Sequence, residues 1–527
     1  MVNVRLACRA AALPVPAVPA ILGLITGGYH AAVPPLWRDE AATKAIAGRS
    51  VGQILATMPH DDVVHGAYYL VVHVAIRLFG SSNGALRLPS VIAMAVACAF
   101  TALIGQQLCR GPWLSTSGRL PAACAGMTAG LVFALLPAAI RYAQEARSYA
   151  IVTMLATVAT YLLTRAASDG GGWWWASYAV AVCLTSLFNV FGLLLLAAHG
   201  LALVAAAERG PGRRPLATAV RWLAAGGLAT APVLPVAIMA YGQRAALNWM
   251  SSSVPVRRDV VALTRLWAGS PGLVWPVFGL AAFGAVASLI AGRRDLSPAT
   301  VALPWLVVPP AVLLAVSTAR PVYDQRYIEF CLPALAICVG TGITWLWLLA
   351  ATALGAGARA RTRAGRSGLG SLAPLPAAAA AAALVIALQP ADSAVRQPGD
   401  RPDSLELAAR IVASNARPGD IVFYLPMNDR IVSLPFPGPW RRLRDIALAA
   451  SPTASDTLYG TDVSPAEVLR RYTRVTRVWV VSSFEIDYRR QARATPVDGE
   501  EVALIGVLRE IRSWRDGDTE LTLYAAR

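Results

Sequence analysis

Two adjacent carboxylates follow the first apolar run of the chain, in the segment Trp37-Arg38-Asp39-Glu40. An acidic pair is too costly to leave inside hydrocarbon, so we expect it at a membrane–water boundary. A carboxylate at that boundary could serve as a general base toward a substrate that the lipid delivers. The alternative interpretation is a helix start, because acidic residues followed by Ala-Ala-Thr-Lys suit a first helical turn. The spacing alone leaves both interpretations open.

A second polar segment, Pro59-His60-Asp61-Asp62-Val63-Val64-His65, is followed directly by aromatic residues at Tyr68 and Tyr69. Its histidines and aspartates could ligate a divalent cation, with the carboxylates suited to a hard metal. More often such a run is a turn that positions an aromatic helix. We therefore expect no required cofactor and keep a divalent cation as the less favoured alternative.

Two further polar segments border apolar runs, at 141–149 and 319–327. In the first, Glu145 and Arg147 lie where unpaired charges are expensive, which makes them functional candidates, although Arg141 and Glu145 could simply pair at i,i+4. In the second, arginine alternates with tyrosine, a composition that is common at membrane interfaces. Arginine also offers a planar fork that matches phosphate oxygens. Both interpretations of each segment stay open.

The elements that must position these residues are membrane helices, as the composition indicates. Of the 527 residues, 56% are hydrophobic and 15% are charged, and the mean hydropathy is +0.52. A soluble protein of this length would need far more surface charge, whereas lipid can cover a polytopic membrane protein. The formal net charge of +17 comes from arginines scattered between apolar runs, which argues against nucleic acid. The seven cysteines form no CxxC pair, so we expect neither a disulfide framework nor a zinc site.

A helix needs about 20 apolar residues to cross a bilayer, and the sequence contains about eleven such runs. The predicted spans are 11–32, 88–108, 121–139, 148–164, 173–188, 190–207, 216–239, 272–291, 299–317, 327–350 and 372–389. The apolar but short and aromatic segment 65–80 is predicted as an interfacial helix. With a cytoplasmic N-terminus, the arginine-rich loops alternate onto the cytoplasmic side. The four polar segments then share the extracytoplasmic face.

Some cations break the positive-inside rule, because this orientation puts them on the extracytoplasmic side. They are Arg38, Lys44, Arg141, Arg147, Arg257, Arg258, Arg320 and Arg326. A bound anion is the natural reason for cations in such places.

After residue 390 charged residues become frequent, and short β-rich runs alternate with amphipathic ones. We predict helices at 404–415, 465–472 and 502–514 and strands at 421–425, 478–481 and 521–524. The sequence thus indicates a membrane domain, 1–389, whose first extracytoplasmic loop is 33–87. A small extracytoplasmic α/β domain, 390–527, follows it.

Taken in order, these motifs resemble the GT-C glycosyltransferases, in the branch of protein O-mannosyltransferases and aminoarabinose transferases (glycosyltransferase family 39-like). The resemblance covers roughly residues 1–350. It rests on Arg38-Asp39-Glu40, Asp62…His65…Tyr68-Tyr69, Leu86-Arg87-Leu88-Pro89-Ser90, Tyr142-Ala143-Gln144-Glu145-Ala146-Arg147-Ser148-Tyr149 and Arg326-Tyr327.

The resemblance implies an α-helical polytopic membrane protein of the GT-C fold, with about eleven transmembrane helices and a small C-terminal domain. It implies transfer of a sugar, of mannose or arabinose type, from a polyprenyl-phosphate donor to an acceptor hydroxyl, with inversion. Asp39 would be the catalytic base, and Glu40 and Glu145 would support it. The donor phosphate would be bound by Arg147, Arg320, Tyr323, Arg326 and Tyr327, and the substrates by Lys44, Asp62, His65, Tyr68, Tyr69 and Tyr149.

The expected acceptor is a glycan, a glycolipid or a protein, and the expected location is the plasma membrane, with the active site extracytoplasmic. The competing hypothesis is a polytopic lipid or glycan transporter or flippase. A transporter would be expected to have charged residues or broken helices in the middle of its spans. In this sequence the notable charges instead lie at one face of the membrane. The C-terminal domain shows no nucleophile, metal or phosphate motif, so we interpret it as acceptor-binding or structural.

Overall fold

The computed structural model describes residues 15–109, 119–207, 215–244, 256–291, 296–362, 387–472, 477–483 and 496–526. The chain divides into two compact units. The first, here called the helical unit, comprises residues 1–29 and 89–395. The second, here called the loop unit, comprises residues 30–88 and 396–527. The loop unit thus joins two stretches that are more than 300 residues apart in the sequence.

Apolar helices make up most of the described part of the helical unit. Among the described residues, six helices are long and apolar enough to cross a membrane: Asn83–Leu108, Tyr149–Asp169, Pro215–Gly242, Pro271–Ala291, Pro298–Ser317 and Gln325–Ala350. A seventh candidate is the pair Ala122–Leu135 and Pro137–Ala143, bent by 63° at a proline that disfavours a continuous helix. Shorter apolar helices are Ala17–Gly28, Val63–Phe79 and Val190–Ala206. The helical membrane fold is confirmed, with at least six spans; the predicted number of eleven stays a prediction.

The predicted spans 173–188 and 190–207 correspond to helices Gly172–Phe188 and Leu194–Ala207. A 3-10 turn, Val190–Leu193, separates them, and the Asn189 side chain accepts the backbone N–H of Phe191 at 3.0 Å. Most of the predicted span 372–389 lies outside the described residues.

In the loop unit, residues 30–88 form short helices. They are Arg38–Ala47, Val51–Thr57, a 3-10 turn Val63–His65, Gly66–Phe79 and the start of Asn83–Leu108. The first of these helices ends before Gly48, and the next begins with a capping box between Ser50 and Gln53. The predicted aromatic helix over 65–80 is present as Gly66–Phe79.

The C-terminal part of the loop unit is a five-stranded mixed sheet with helices. The strands are β1 (Ile421–Leu425), β2 (Arg444–Asp445), β5 (Arg477–Ser483), β6 (Arg509–Asp516) and β7 (Thr519–Ala525), in the order β2-β1-β5-β7-β6. Strand β1 pairs in parallel with β2 and β5, whereas β7 pairs antiparallel with β5 and β6. A two-stranded sheet joins β3 (Leu448–Ala450) and β4 (Thr461–Asp462). The helices are Leu405–Asn415, Pro437–Trp440, Pro465–Arg471 and Pro496–Gly506.

The predicted strands around 421–425, 478–481 and 521–524 and the helices around 404–415 and 465–472 are confirmed. The predicted helix over 502–514 is wrong, because the helix ends at Gly506 and strand β6 begins at Arg509. A tight turn at Gly517 folds β6 back onto β7, with φ of 55° at the glycine. A Cβ there would lie 1.6 Å from the Pro402 carbonyl oxygen, so only glycine fits.

Candidate functional site

Asp39 lies in the first turn of helix Arg38–Ala47 and is partly exposed. Trp37 precedes the helix in an extended conformation, and the Thr43 hydroxyl donates to the Asp39 carbonyl at 3.2 Å. The acidic pair therefore does start a helix, where a carboxylate is favoured by the helix dipole. In this first helical turn the Asp39 side chain lies at the surface of the loop unit.

Glu40 has a different environment from its neighbour. Its side chain is fully buried and binds Arg87 through both oxygens, at 2.8 Å from Nε and 2.6 Å from Nη2. The same guanidinium, also fully buried, donates to the carbonyls of Ala31, Pro34 and Pro35 at 2.8–3.0 Å. Glu40 and Arg87 thus hold both ends of the 30–88 segment together.

Asp62, His65 and Tyr69 form a compact hydrogen-bonded group. His65 Nδ1 lies 2.9 Å from Asp62 Oδ1, and the Tyr69 hydroxyl donates to Asp62 Oδ2. Asp62 itself adopts a left-handed conformation with φ of 53°. His65, Tyr68 and Tyr69 are all buried. The segment is therefore a buried turn that fixes the aromatic helix, and no group with metal-site geometry occurs among the described residues.

Tyr459 is a residue of this neighbourhood that the sequence analysis missed. Burial raises the pKa of its hydroxyl, and the carboxylates of Asp62, Asp61 and Asp39 raise that pKa further. The backbone N–H of Leu458 donates to Asp61 at 2.6 Å, which fixes the chain beside it. Nothing local in the sequence around residue 459 signals this, because the proximity arises from a contact across about 400 residues.

Lys44 lies in the same helix as Asp39. Its ammonium group lies 4.5 Å from the ring centre of Phe436. Burial lowers the pKa of Lys44, and the carboxylate of Glu406 opposes this effect. Lys44 thus has partners within the loop unit.

In the helical unit, the segment 141–149 is almost entirely buried, including Glu145, Arg147 and Tyr149. Its backbone continues helix Pro137–Ala143, then turns and enters helix Tyr149–Asp169. The Gln144 amide donates to the carbonyls of Gly27 and Tyr29 at 3.0 and 2.7 Å. The rings of Tyr142 and Tyr149 pack edge to face at 5.6 Å. Buried charges beside a span are expensive, so their retention calls for a functional reason.

The segment 319–331 supplies the second group of the helical unit. The Asp324 side chain caps a 3-10 helix, Gln325–Cys331, by accepting the Arg326 backbone N–H at 3.0 Å, and it also pairs with Arg326 Nε at 3.1 Å. Tyr327 stacks on Phe191 with 5.2 Å between ring centres. Arg326 and Tyr327 are partly exposed, as is Tyr323, and Arg320 is exposed and lies near the Tyr241 hydroxyl.

Glu329, one turn after Arg326, is a second residue that the sequence analysis missed. It is 1% exposed, and neither carboxyl oxygen has a hydrogen-bond partner among the described residues. The Trp267 indole lies beside it without a hydrogen bond of normal geometry, and Glu145 and Arg141 lie within electrostatic range. The sequence feature that could have identified Glu329 is an acidic residue at the start of an apolar span.

The predicted residues therefore divide between the two units. The loop-unit group contains Asp39, Glu40, Lys44, Asp62, His65, Tyr68 and Tyr69. The helical-unit group contains Glu145, Arg147, Tyr149, Arg320, Tyr323, Arg326 and Tyr327. The assigned roles of these residues stay predictions at this point.

Comparison with solved structures gives matches over nearly the whole chain. ArnT from Cupriavidus metallidurans matches in its apo state with a TM-score of 0.57 and 15% identity, over 96% of this chain and 97% of that one. The same protein bound to undecaprenyl phosphate matches with 0.57 and 16% identity, over 96% of each chain. The oligosaccharyltransferase AglB from Archaeoglobus fulgidus, in complex with an inhibitory peptide and a dolichol-phosphate, matches with 0.50 and 10% identity, over 98% of this chain and 74% of that one.

No protein-family model and no curated protein matches the sequence. The structural matches are to membrane glycosyltransferases of the GT-C fold. The GT-C fold that the motifs resemble is thus confirmed, as is the small C-terminal sheet domain.

Proposed function

We propose that this protein is an integral membrane glycosyltransferase that moves a sugar from a polyprenyl-phosphate donor to an acceptor hydroxyl. The observation that carries the proposal is the GT-C fold over 96% of the chain, matched to a protein that was solved with undecaprenyl phosphate. Because an identity of 16% establishes only the fold, the activity must be argued from the chemistry of this chain's own residues.

The acceptor half of the reaction needs a base, and Asp39 is our candidate. Its carboxylate would take the proton of the acceptor hydroxyl as that oxygen attacks the anomeric carbon. Partial exposure supports this role, because the acceptor must reach the side chain. Tyr459, which is within electrostatic range of Asp39, Asp61 and Asp62, would contact the acceptor, and the hydrogen-bonded group of Asp62, His65 and Tyr69 would line the acceptor site.

The donor half needs cations and hydrogen-bond donors for a phosphate. As the bond from the anomeric carbon to the phosphate oxygen breaks, its electron pair leaves with the polyprenyl phosphate. Phosphate is a good leaving group, so a second carboxylic acid is not required, in contrast to many glycosidases. Arg320 and Arg326 would stabilise the charge that develops on it, supported by Tyr323, Tyr327 and Arg147. One displacement of this kind inverts the anomeric centre.

Three assignments differ from those predicted from the sequence. Glu40 is left out of the catalytic residues, because both its oxygens bind Arg87 in a fully buried pair. Glu329 is added beside Glu145 as a residue that binds a sugar hydroxyl, because its buried carboxyl has no hydrogen-bond partner among the described residues. Lys44 keeps at most an indirect role, since Phe436 and Glu406 occupy its surroundings.

The sugar that we propose is of mannose or arabinose type, and the acceptor is a glycan, a glycolipid or a protein. We place the active site and the C-terminal domain on the extracytoplasmic face of the plasma membrane, with the N-terminus in the cytoplasm. The proposal involves no required cofactor. A lipid or glycan flippase remains the second candidate, because a fold that accommodates a polyprenyl phosphate could also move one.

The test uses membranes that contain the full-length protein and a panel of radiolabelled polyprenyl-phosphate sugars, with mannose and arabinose among them. We expect label to pass from one donor to an acceptor, and Asp39→Asn to abolish this transfer without changing membrane insertion. The matched control is Asp456→Asn, the same chemical change at a left-handed position that asparagine also tolerates.

Transfer by Asp39→Asn at a rate close to that of the wild type would refute the base assignment. Absence of transfer from every donor, together with faster lipid translocation in proteoliposomes, would favour the flippase. The anomeric configuration of the product, read by NMR, separates inversion from retention.

A further inference from the structure

The residue directly before Asp39 is held by the C-terminal part of the chain. Arg38 Nε donates to Asp403 Oδ2 at 3.0 Å, Nη1 donates to Asp429 Oδ1, and Nη2 donates to the Thr519 hydroxyl at 3.3 Å. The Thr519 hydroxyl in turn donates to Asp403 Oδ2 at 2.9 Å. Asp403, Asp429 and Thr519 are all buried, so the guanidinium is held from three directions in a mostly water-free place.

The backbone just before Arg38 is held by the same segment. The Leu405 N–H donates to the Leu36 carbonyl at 3.1 Å. The start of helix Arg38–Ala47 is thus fixed by one backbone bond and one three-partner side chain. Since consecutive Cα atoms are about 3.8 Å apart, what fixes Arg38 also fixes the backbone of Asp39.

Further contacts join the rest of the 30–88 segment to the C-terminal part. Arg49 Nη2 donates to the Thr457 carbonyl at 2.8 Å, and the Asn83 amide donates to Glu406 at 2.8 Å. Both residues come after the Asp39 helix in the sequence, whereas Leu36 precedes it. The loop unit is therefore one body, and the position of Asp39 within it depends on the C-terminal part of the chain.

We propose that Asp403, Asp429 and Thr519 are positioning residues for the transfer reaction, because they fix the place of Asp39 through Arg38. This inference rests on the proposed function, where Asp39 has its role as base. It also gives the C-terminal domain a part in catalysis, without any residue of the Arg38 cluster contacting the substrate.

The physical reason is the short distance over which a base works. Proton transfer needs the carboxylate within about 2.6–3.2 Å of the attacking hydroxyl, and a displacement of about 1 Å can cost up to a hundredfold in rate. Within residues 30–88 the Arg87 guanidinium holds Glu40 and the carbonyls before the helix, and the Arg38 contacts add the restraint from the C-terminal part on the other side of Asp39 in the sequence. Arginine with three fixed acceptors restricts both its position and its rotation.

The mildest test is Thr519→Val, which keeps the shape of the side chain and removes its hydroxyl. The matched control is Thr522→Val on the same strand, whose described partner is Ser513 at 3.1 Å. We expect Thr519→Val to lower kcat several-fold and Asp403→Asn to lower it about ten- to a hundredfold. The KM for the donor should change less than about twofold in both, since donor binding is assigned to other residues. Thr522→Val should match the wild type.

Each variant is also checked by thermal unfolding and size-exclusion chromatography, and rates are expressed per folded molecule. An Arg38→Gln, Thr519→Val double variant should be no slower than Arg38→Gln alone, since the threonine acts through the arginine. Additive losses, or a donor KM that rises together with a falling kcat, would overturn the positioning role.

The outcomes separate this inference from the proposed function. If no donor gives transfer with the wild type, the proposed function fails. If Asp39→Asn keeps its transfer activity, the base assignment fails and the positioning role fails with it. If Asp39→Asn is inactive while Thr519→Val and Asp403→Asn both keep the wild-type kcat, only the positioning role is refuted. If the variants lose stability but keep kcat per folded molecule, the cluster is structural and the inference is again refuted.

Discussion

Replacing Glu40 tests whether the second carboxylate of the acidic pair is structural or catalytic. Glu40 and Arg87 are both fully buried, and the carboxylate binds the guanidinium through two hydrogen bonds of 2.8 and 2.6 Å. Removal of one partner from a buried pair leaves an uncompensated charge and costs about 3–5 kcal/mol. We expect Glu40→Gln, which keeps the volume, at the lower end of this range, and Glu40→Ala, which adds a cavity, at the upper end.

Such a loss is large enough to measure in the full-length protein. For a body of the size of the loop unit, about 1 kcal/mol corresponds to roughly 2–4 °C of melting temperature, so the drop should be about ten degrees. The assay is thermal unfolding followed by tryptophan fluorescence, in one detergent throughout. Glu467→Gln is the matched control, because its carboxylate pairs with Arg470 and Arg471 in an exposed part of the same unit and should change little.

The same pair can be examined from its other side. Arg87→Met should cost at least as much as Glu40→Gln, because it also removes donors from the carbonyls of Ala31, Pro34 and Pro35. The double replacement should therefore fail to restore the wild-type melting temperature. A Glu40→Gln protein that melts like the wild type but has lost its turnover would refute this reasoning and restore the predicted catalytic role of Glu40.

Three other predictions can be checked independently. Arg326→Lys should raise the donor KM about ten- to a hundredfold, since lysine cannot reproduce the planar fork; an unchanged KM in initial-rate measurements would contradict the phosphate assignment. Burial raises the pKa of Asp429 to about 6, although Arg38 opposes this. The folded protein therefore binds a proton that the unfolded chain has lost between about pH 4 and 6, and stability should fall as pH rises through that range. Asp429→Asn should flatten this dependence of stability on pH in unfolding scans. An unaltered dependence would mean that other titrating groups cause it. Gly517→Ala should lower the unfolding free energy by about 1–3 kcal/mol or more in denaturant titration, because of its positive φ and the Pro402 carbonyl; a silent change would contradict the tight turn.

Local sequence patterns were sufficient for most elements of the fold. Apolar length predicts membrane helices, and the strands 421–425 and 478–481 follow from their short apolar runs. The error at 502–514 has a tertiary cause. Five of the eight residues 509–516 are charged, with no strand-like alternation, and only their pairing with β7 makes them an edge strand.

The candidate site was less accessible to sequence reasoning, because its main contacts are long-range. Local patterns singled out Asp39, but its placement depends on Asp403, Asp429 and Thr519, which carry no motif of their own. A contact between residues almost 400 positions apart leaves no periodic trace in a single sequence. The same limit explains why Tyr459 was missed.

The cations that break the positive-inside rule now separate into two classes. The sequence predicts a bound anion near all of them, but Arg38 is held by Asp403 and Asp429, and Lys44 contacts the Phe436 ring within electrostatic range of Glu406. Protein partners are therefore a sufficient reason for these two loop-unit cations. The remaining six belong to the helical unit; Arg320 is exposed, and Arg326 is partly exposed and pairs with Asp324. A bound anion therefore stays the proposed reason for exposed cations such as Arg320, and donor binding by the Arg320 variant would test it.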